Sequence, residues 1–170
     1  MRQIFAFFEI VLDVWKQGFL GIDIGKIIVS AFIFALFFAL RNKITNIILF
    51  HAEKLADKLN SKTALKVINS IKSPLKMIPV VLGTFLAFDY LDLDEGGLKT
   101  IADRTIRTLI VCNIFWIFYV TISPLAKLFD PLKNIFTAEI VEWIIKTIKF
   151  LVVFFNIATV LEIWESMLEL

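Results

Sequence analysis

The sequence predicts an all-α polytopic membrane protein, with about four transmembrane helices, an interfacial N-terminal helix and a cytoplasmic helical connection. Three observations carry that expectation. Of the 170 residues 59% are apolar, against roughly 45–50% in an average soluble domain even with glycine counted. Phenylalanine alone supplies 18 residues and joins isoleucine and leucine in long uncharged runs, the pattern that a hydrocarbon solvent selects. The charges, finally, sort by connection in the way that alternating spans require.

Residues 1–21 precede the first break. Glu9, Asp13 and Lys16 step by four and three and so share one helical face, with Phe5, Phe8, Leu12 and Trp15 on the other side. Such a segment is too polar to span and reads as an amphipathic helix lying in the interface, or else as a short helix packed on the bundle. It does not fit a cleaved leader, because Glu9 and Asp13 interrupt the apolar stretch and no small-residue cleavage site follows.

Gly18, Gly21 and Asp23 mark the break, and the first span is predicted over residues 22–40. Its length is about 28 Å at 1.5 Å per residue, close to the hydrocarbon thickness. Lys26 sits near one end, where its stem can snorkel, and Arg41 and Lys43 close the other. Residues 41–73 form the polar, helix-patterned connection. Ile44, Ile48, Leu55 and Leu59 fall on one stripe of it, and Lys54, Lys58, Lys62 and Lys66 step by four along another. That lysine ladder suits anionic-lipid headgroups, and it equally suits a solvated helix face.

The second span is predicted over residues 74–91. Lys76 and Asp89 must snorkel at its ends, and Pro79 and Gly83 can kink it, which membrane helices tolerate. Asp89, Asp92, Asp94, Glu95, Gly96 and Gly97 then form a polar connection, too short for a calcium loop with its twelfth-position glutamate. The third span covers 108–126 without a charge and is expected to end at Pro124; Asp130 and Pro131 make the next turn. The fourth covers 144–164 with its centre at 150–161. Asn156 lies in that centre, where an amide usually bonds to a neighbouring helix, and where a permeation role is the sharper alternative.

Charge sets the orientation. The stretch 41–76 holds Arg41, Lys43, Lys54, Lys58, Lys62, Lys66, Lys72 and Lys76 against only Glu53 and Asp57, which places it in the cytoplasm. The stretch 89–107 is predominantly acidic and fits the outer side. The stretch 127–149 carries four basic residues and fits the cytoplasm again. The tail, with Glu162, Glu165 and Glu169, fits the outside. Both termini are thus predicted outside, periplasmic if the cell has a periplasm, and the α-helical character of the spans points to a bacterial inner membrane.

Chemistry-bearing constellations are absent from the sequence. His51 is the lone histidine and Cys112, inside an apolar run, the lone cysteine, so neither a ligand set nor an internal disulfide is expected. No phosphate loop, nucleophile elbow or paired intramembrane carboxylates occur. A net charge of +2 gives no pull toward nucleic acid. The expectation is a protein that is no enzyme, takes no cofactor, metal or small-molecule substrate, and has the lipid bilayer as its partner.

Two stretches carry a family resemblance. PLKMIPVVLGTFLAFDYLDLD, from Pro74, resembles the sensor-helix region of larger small-conductance mechanosensitive (MscS-type) channels; KFLVVFFNIATVLEIW, from Lys149, resembles the helix before their pore. The likeness covers residues 40–164, and Leu161-Glu162-Ile163-Trp164 is its most specific piece. In that family a Gly and a Gly/Ala-rich pore helix follow, then a cytoplasmic β-rich domain. Here Glu-Ser-Met-Leu-Glu-Leu follows Trp164, so no pore-lining residue carries over. The resemblance implies a tension-sensing paddle truncated before the pore, inert or able to join homo-oligomers or full-length channel subunits. The alternative is a free-standing structural or accessory membrane protein that binds a partner through its helices. A small transporter would need internal repeats or more polar residues than Asn113 and Asn156.

Overall fold

The computed structural model describes residues 22–58, 62–94, 96–126 and 138–165. The predicted interfacial helix, the centre of the turn after the third span and the last five residues lie outside the described residues. Five helices account for the rest: α1 (Ile24–Lys58), α2 (Lys62–Leu75), α3 (Met77–Leu91), α4 (Gly97–Ala126) and α5 (Ala138–Glu165). Four helical stretches are long and apolar enough to cross a membrane, with α2 and α3 together making the second.

The first helix starts where Asp23 caps it. Its Oδ1 accepts from Gly25 N at 2.6 Å and Lys26 N at 3.4 Å, so two of the end N–H groups that no helical carbonyl can reach are satisfied. From there α1 runs 35 residues without a break, about 52 Å at the helical rise. It passes straight through Arg41 and Lys43, where the span was expected to close. Neither residue breaks a helix, and no Gly or Pro occurs between Gly25 and Pro74. The charges mark where apolar character ends, while the backbone continues. Charges likewise fail to set the start of α4, which begins eleven residues before its uncharged stretch; at its other end the helix continues two residues past Pro124, to Ala126. The connection 41–73 is correspondingly divided between the end of α1 and α2.

Antiparallel register joins α1 to α2 and α3. Ser30 Oγ donates to Ala87 O at 2.8 Å in a buried position, and Thr45 Oγ1 reaches Leu75 O at 3.4 Å. Phe37 lies against Gly83 between them. Pro79, Val80, Gly83 and Ala87 are the buried face of α3, small residues of the kind that let helix backbones approach in the absence of a hydrophobic drive. Next in the row, α2 and α3 pack on α4, and α4 packs on α5. The described helices form a row, each packed mainly on the next. α4 and α5 are also antiparallel: Trp164 Nε1 donates to Thr108 Oγ1 at 3.1 Å at one end, and Lys149 Nζ lies 5.0 Å from the Tyr119 ring centroid toward the other.

The apolar stripe predicted along Ile44, Ile48, Leu55 and Leu59, the last of which lies outside the described residues, is not the main packing face. Ile48 and Leu55 are exposed, and the buried residues are Thr45, Leu49 and Ala56, one position on. Both faces of this part of α1 are apolar enough to bury, and the buried one combines Leu49 with two small residues. Thr45 and Ala56 admit a close neighbour, which the bulkier Ile48 and Leu55 would hold off.

Candidate functional site

The feature most out of the ordinary is the junction of α2 and α3, where the helix is interrupted at Lys76. Two prolines bracket it. Pro79 has no N–H to return to the carbonyl of Leu75 four residues earlier, and Pro74 removes another donor one turn before. Lys76 itself keeps right-handed helical angles, φ −67° and ψ −20°, so the interruption is one of hydrogen bonding, ahead of Pro79. Gly83 provides the close approach to Phe37.

Bare carbonyls are costly in an apolar surround, and here three consecutive ones each have a donor. Ser73 O accepts from Lys76 N at 3.2 Å. Pro74 O accepts from Asn113 Nδ2 of α4 at 2.9 Å, in a buried position. Leu75 O accepts the longer bond from Thr45 Oγ1 of α1, whose hydroxyl also reaches Arg41 O at 2.7 Å. Thr45 and Pro74 are the two largest fully buried side chains of the described residues. Side chains from α1 and α4 thus complete the backbone of the helix between them.

Asn156 is the residue for which a possible interhelical polar contact was expected. Its Oδ1 is buried with no hydrogen-bond partner among the described residues, and Asn113 makes the contact instead. The missed signal was the proline pair. Two prolines in one span free carbonyls at a known depth, and a polar residue on a neighbouring helix at that depth is the natural donor.

The lysine ladder is divided by the fold. Lys54 and Lys58 are exposed on α1, while Lys62 and Lys66 belong to α2, with Lys66 exposed as well. The four are thus shared between two helices. At the opposite end Lys26 Nζ pairs with Asp92 Oδ2 at 3.3 Å, both exposed. Near it a cleft between α3 and α4 is lined by Phe85, Asp89, Asp92, Lys99, Asp103 and Ile106. Among the described residues no three His, Cys, Asp or Glu side chains are grouped to hold a metal. Arg104, only 8% exposed, donates from its guanidinium to Trp164 O at 3.1 Å. The same tryptophan is therefore bonded to α4 through both its carbonyl and its indole. Cys112 is a free thiol of intermediate burial.

The outer surface is overwhelmingly apolar. Phe32 and Phe150 are each 68% exposed and Trp143 71%. Within the apolar stretch of α5 no residue is buried, and in those of α1 and α4 only 6% are. A soluble monomer rarely tolerates such a surface. Compared with protein-family models, curated proteins and solved structures, the chain matches none.

Proposed function

We propose that these helices form a lipid-facing, tension-responsive region of a multi-pass membrane protein in a bacterial inner membrane, of the kind that resembles the sensor paddle of mechanosensitive channels. The observation that carries the reading is the exposure of almost the whole apolar stretch of α1, α4 and α5 in a row of helices each packed mainly on the next. Such a row presents both of its faces to lipid. A change in its tilt or spread alters the membrane area it occupies, and tension favours whichever arrangement occupies more. The role is sensing rather than catalysis or conduction, with the bilayer as first partner and copies of the chain or pore-bearing subunits as further ones. Charge favours a cytoplasmic α1–α2 connection and outer termini.

The test uses the whole chain in liposomes, with Cys112→Ser as background and spin labels at Ile28→Cys on α1 and Leu161→Cys on α5. Lysolipid added to one leaflet raises tension. A shifted distance distribution is expected, and an unchanged one would count against tension sensing. The bare apolar stretch of α5 also favours a second reading, an accessory protein whose partner helix covers it. A stoichiometric membrane partner that protects labels on α5, with no response to lysolipid, would decide for that reading.

A further inference from the structure

We propose that the interruption at Lys76 is a pivot between α2 and α3, and that the Asn113–Pro74 hydrogen bond is the catch that holds α2 in place. The pivot rests on the backbone accounting alone; that tension drives it rests on the sensing role proposed above.

A continuous helix transmits a movement along its length because each carbonyl is tied to the N–H one turn on. Here that tie is missing where it matters. Pro79 has no N–H for Leu75 O, and the bonds that replace the ladder run sideways, to α4 and to α1. The two halves consequently have different anchors. α3 is held along α1 by the Ser30–Ala87 bond and by the seat of Phe37 on Gly83. α2 packs mainly on α4, and its own exposed face carries Lys66, Asn69 and Lys72.

The two sideways bonds are unequal. Thr45 Oγ1 stands 3.4 Å from Leu75 O and has a better acceptor in Arg41 O at 2.7 Å, so it loses little if Leu75 moves away. Asn113 Nδ2 has the 2.9 Å bond to Pro74 O, in a buried position. An interhelical bond of this kind changes the ratio of two arrangements by about 3- to 20-fold. That is strong enough to bias the position of α2 and weak enough to be outweighed by a change in the membrane. A pivot there would move the lysine-bearing helix while leaving the tightly packed α1–α3 pair as it is.

Two label pairs on the full chain in liposomes test this: Lys66→Cys with Ile110→Cys across α2 and α4, and Ile28→Cys with Leu82→Cys across α1 and α3. Asn113→Leu, or Asn113→Ser where leucine impairs insertion, should broaden the first distribution and leave the second unchanged. Replacing both Pro74 and Pro79 by Ala, which returns the missing backbone donors, should suppress that broadening. An unchanged first pair in the Asn113 variants, or equal broadening of both pairs, would overturn the pivot. With lysolipid, movement of the Ile28–Leu161 pair without the Lys66–Ile110 pair would refute a tension-driven pivot and keep the sensing reading. Broadening of the Lys66–Ile110 pair by the Asn113 variants, with no pair responding to lysolipid, would keep the pivot and refute sensing.

Discussion

Gly83 of α3 sits so close to Phe37 of α1 that a Cβ added to it would lie 2.5 Å from the Phe37 Cβ. That separation is shorter than carbon atoms tolerate, and the neighbouring atom is the root of the phenylalanine side chain, which cannot swing aside by changing rotamer. Gly83→Ala is therefore expected to cost about 1–3 kcal/mol through forced separation of the two helices. Unfolding in mixed micelles would measure it. A variant as stable as the parent would mean that the α1–α3 seam is looser than the packing of Phe37 on Gly83 implies.

Asn156 should behave in the opposite sense. Its Oδ1 is buried without a partner among the described residues, although the residue as a whole is of intermediate burial, and an unsatisfied buried acceptor carries a desolvation cost of about 1–3 kcal/mol. Asn156→Leu keeps the approximate shape and removes the whole amide, so it is expected to raise stability by about 1 kcal/mol. A loss of that size in the same unfolding assay would show that the amide has a partner it depends on.

Asp92 follows α3 with φ 49° and ψ 57°, a left-handed conformation, and its N–H returns to Asp89 O at 3.1 Å. Any substitution that removes the carboxylate loses the exposed Lys26 pair alike, so comparing two of them isolates the backbone. Asp92→Gly should be more stable than Asp92→Ala by about 1 kcal/mol, since only glycine adopts this region without strain. Equal stabilities would place the turn outside the left-handed region.

Removing the exposed lysines of α1 and α2 should change the lipid shell rather than the fold. Lys54→Gln, Lys58→Gln and Lys66→Gln together are expected to weaken enrichment of anionic lipid by about 1 kcal/mol per lysine, less at high salt. Energy transfer from Trp to a labelled anionic lipid would report it. An unchanged signal would leave these lysines as a solvated face.

How much of this was legible follows from what each element depends on. The all-helical class and the four apolar stretches were, because the Phe-rich runs state them directly. Helix ends were not: Arg41 and Lys43 mark an end of apolar character, and nothing around them interrupts a helix. The packing faces were hidden for a different reason. When lipid and protein are both apolar, a stripe such as Ile48 and Leu55 looks the same as one that packs, and only small residues such as Thr45 and Ala56 distinguish the inner side. For the polar contact, depth within the apolar run pointed to Asn156. The true criterion was alignment with the carbonyls freed around Pro74 and Pro79, and that singles out Asn113.

The borrowed donors at the α2–α3 junction also bear on how such a chain would be made. A ribosome delivers α1 first, then α2 and α3, and α4 only afterwards. Thr45 is present when the interrupted segment emerges, but Asn113 is not, so the carbonyl of Pro74 begins without its donor. The segment is also the least apolar of the four candidate spans. Its stable insertion would then await the arrival of α4, making the third candidate span an internal chaperone for the second.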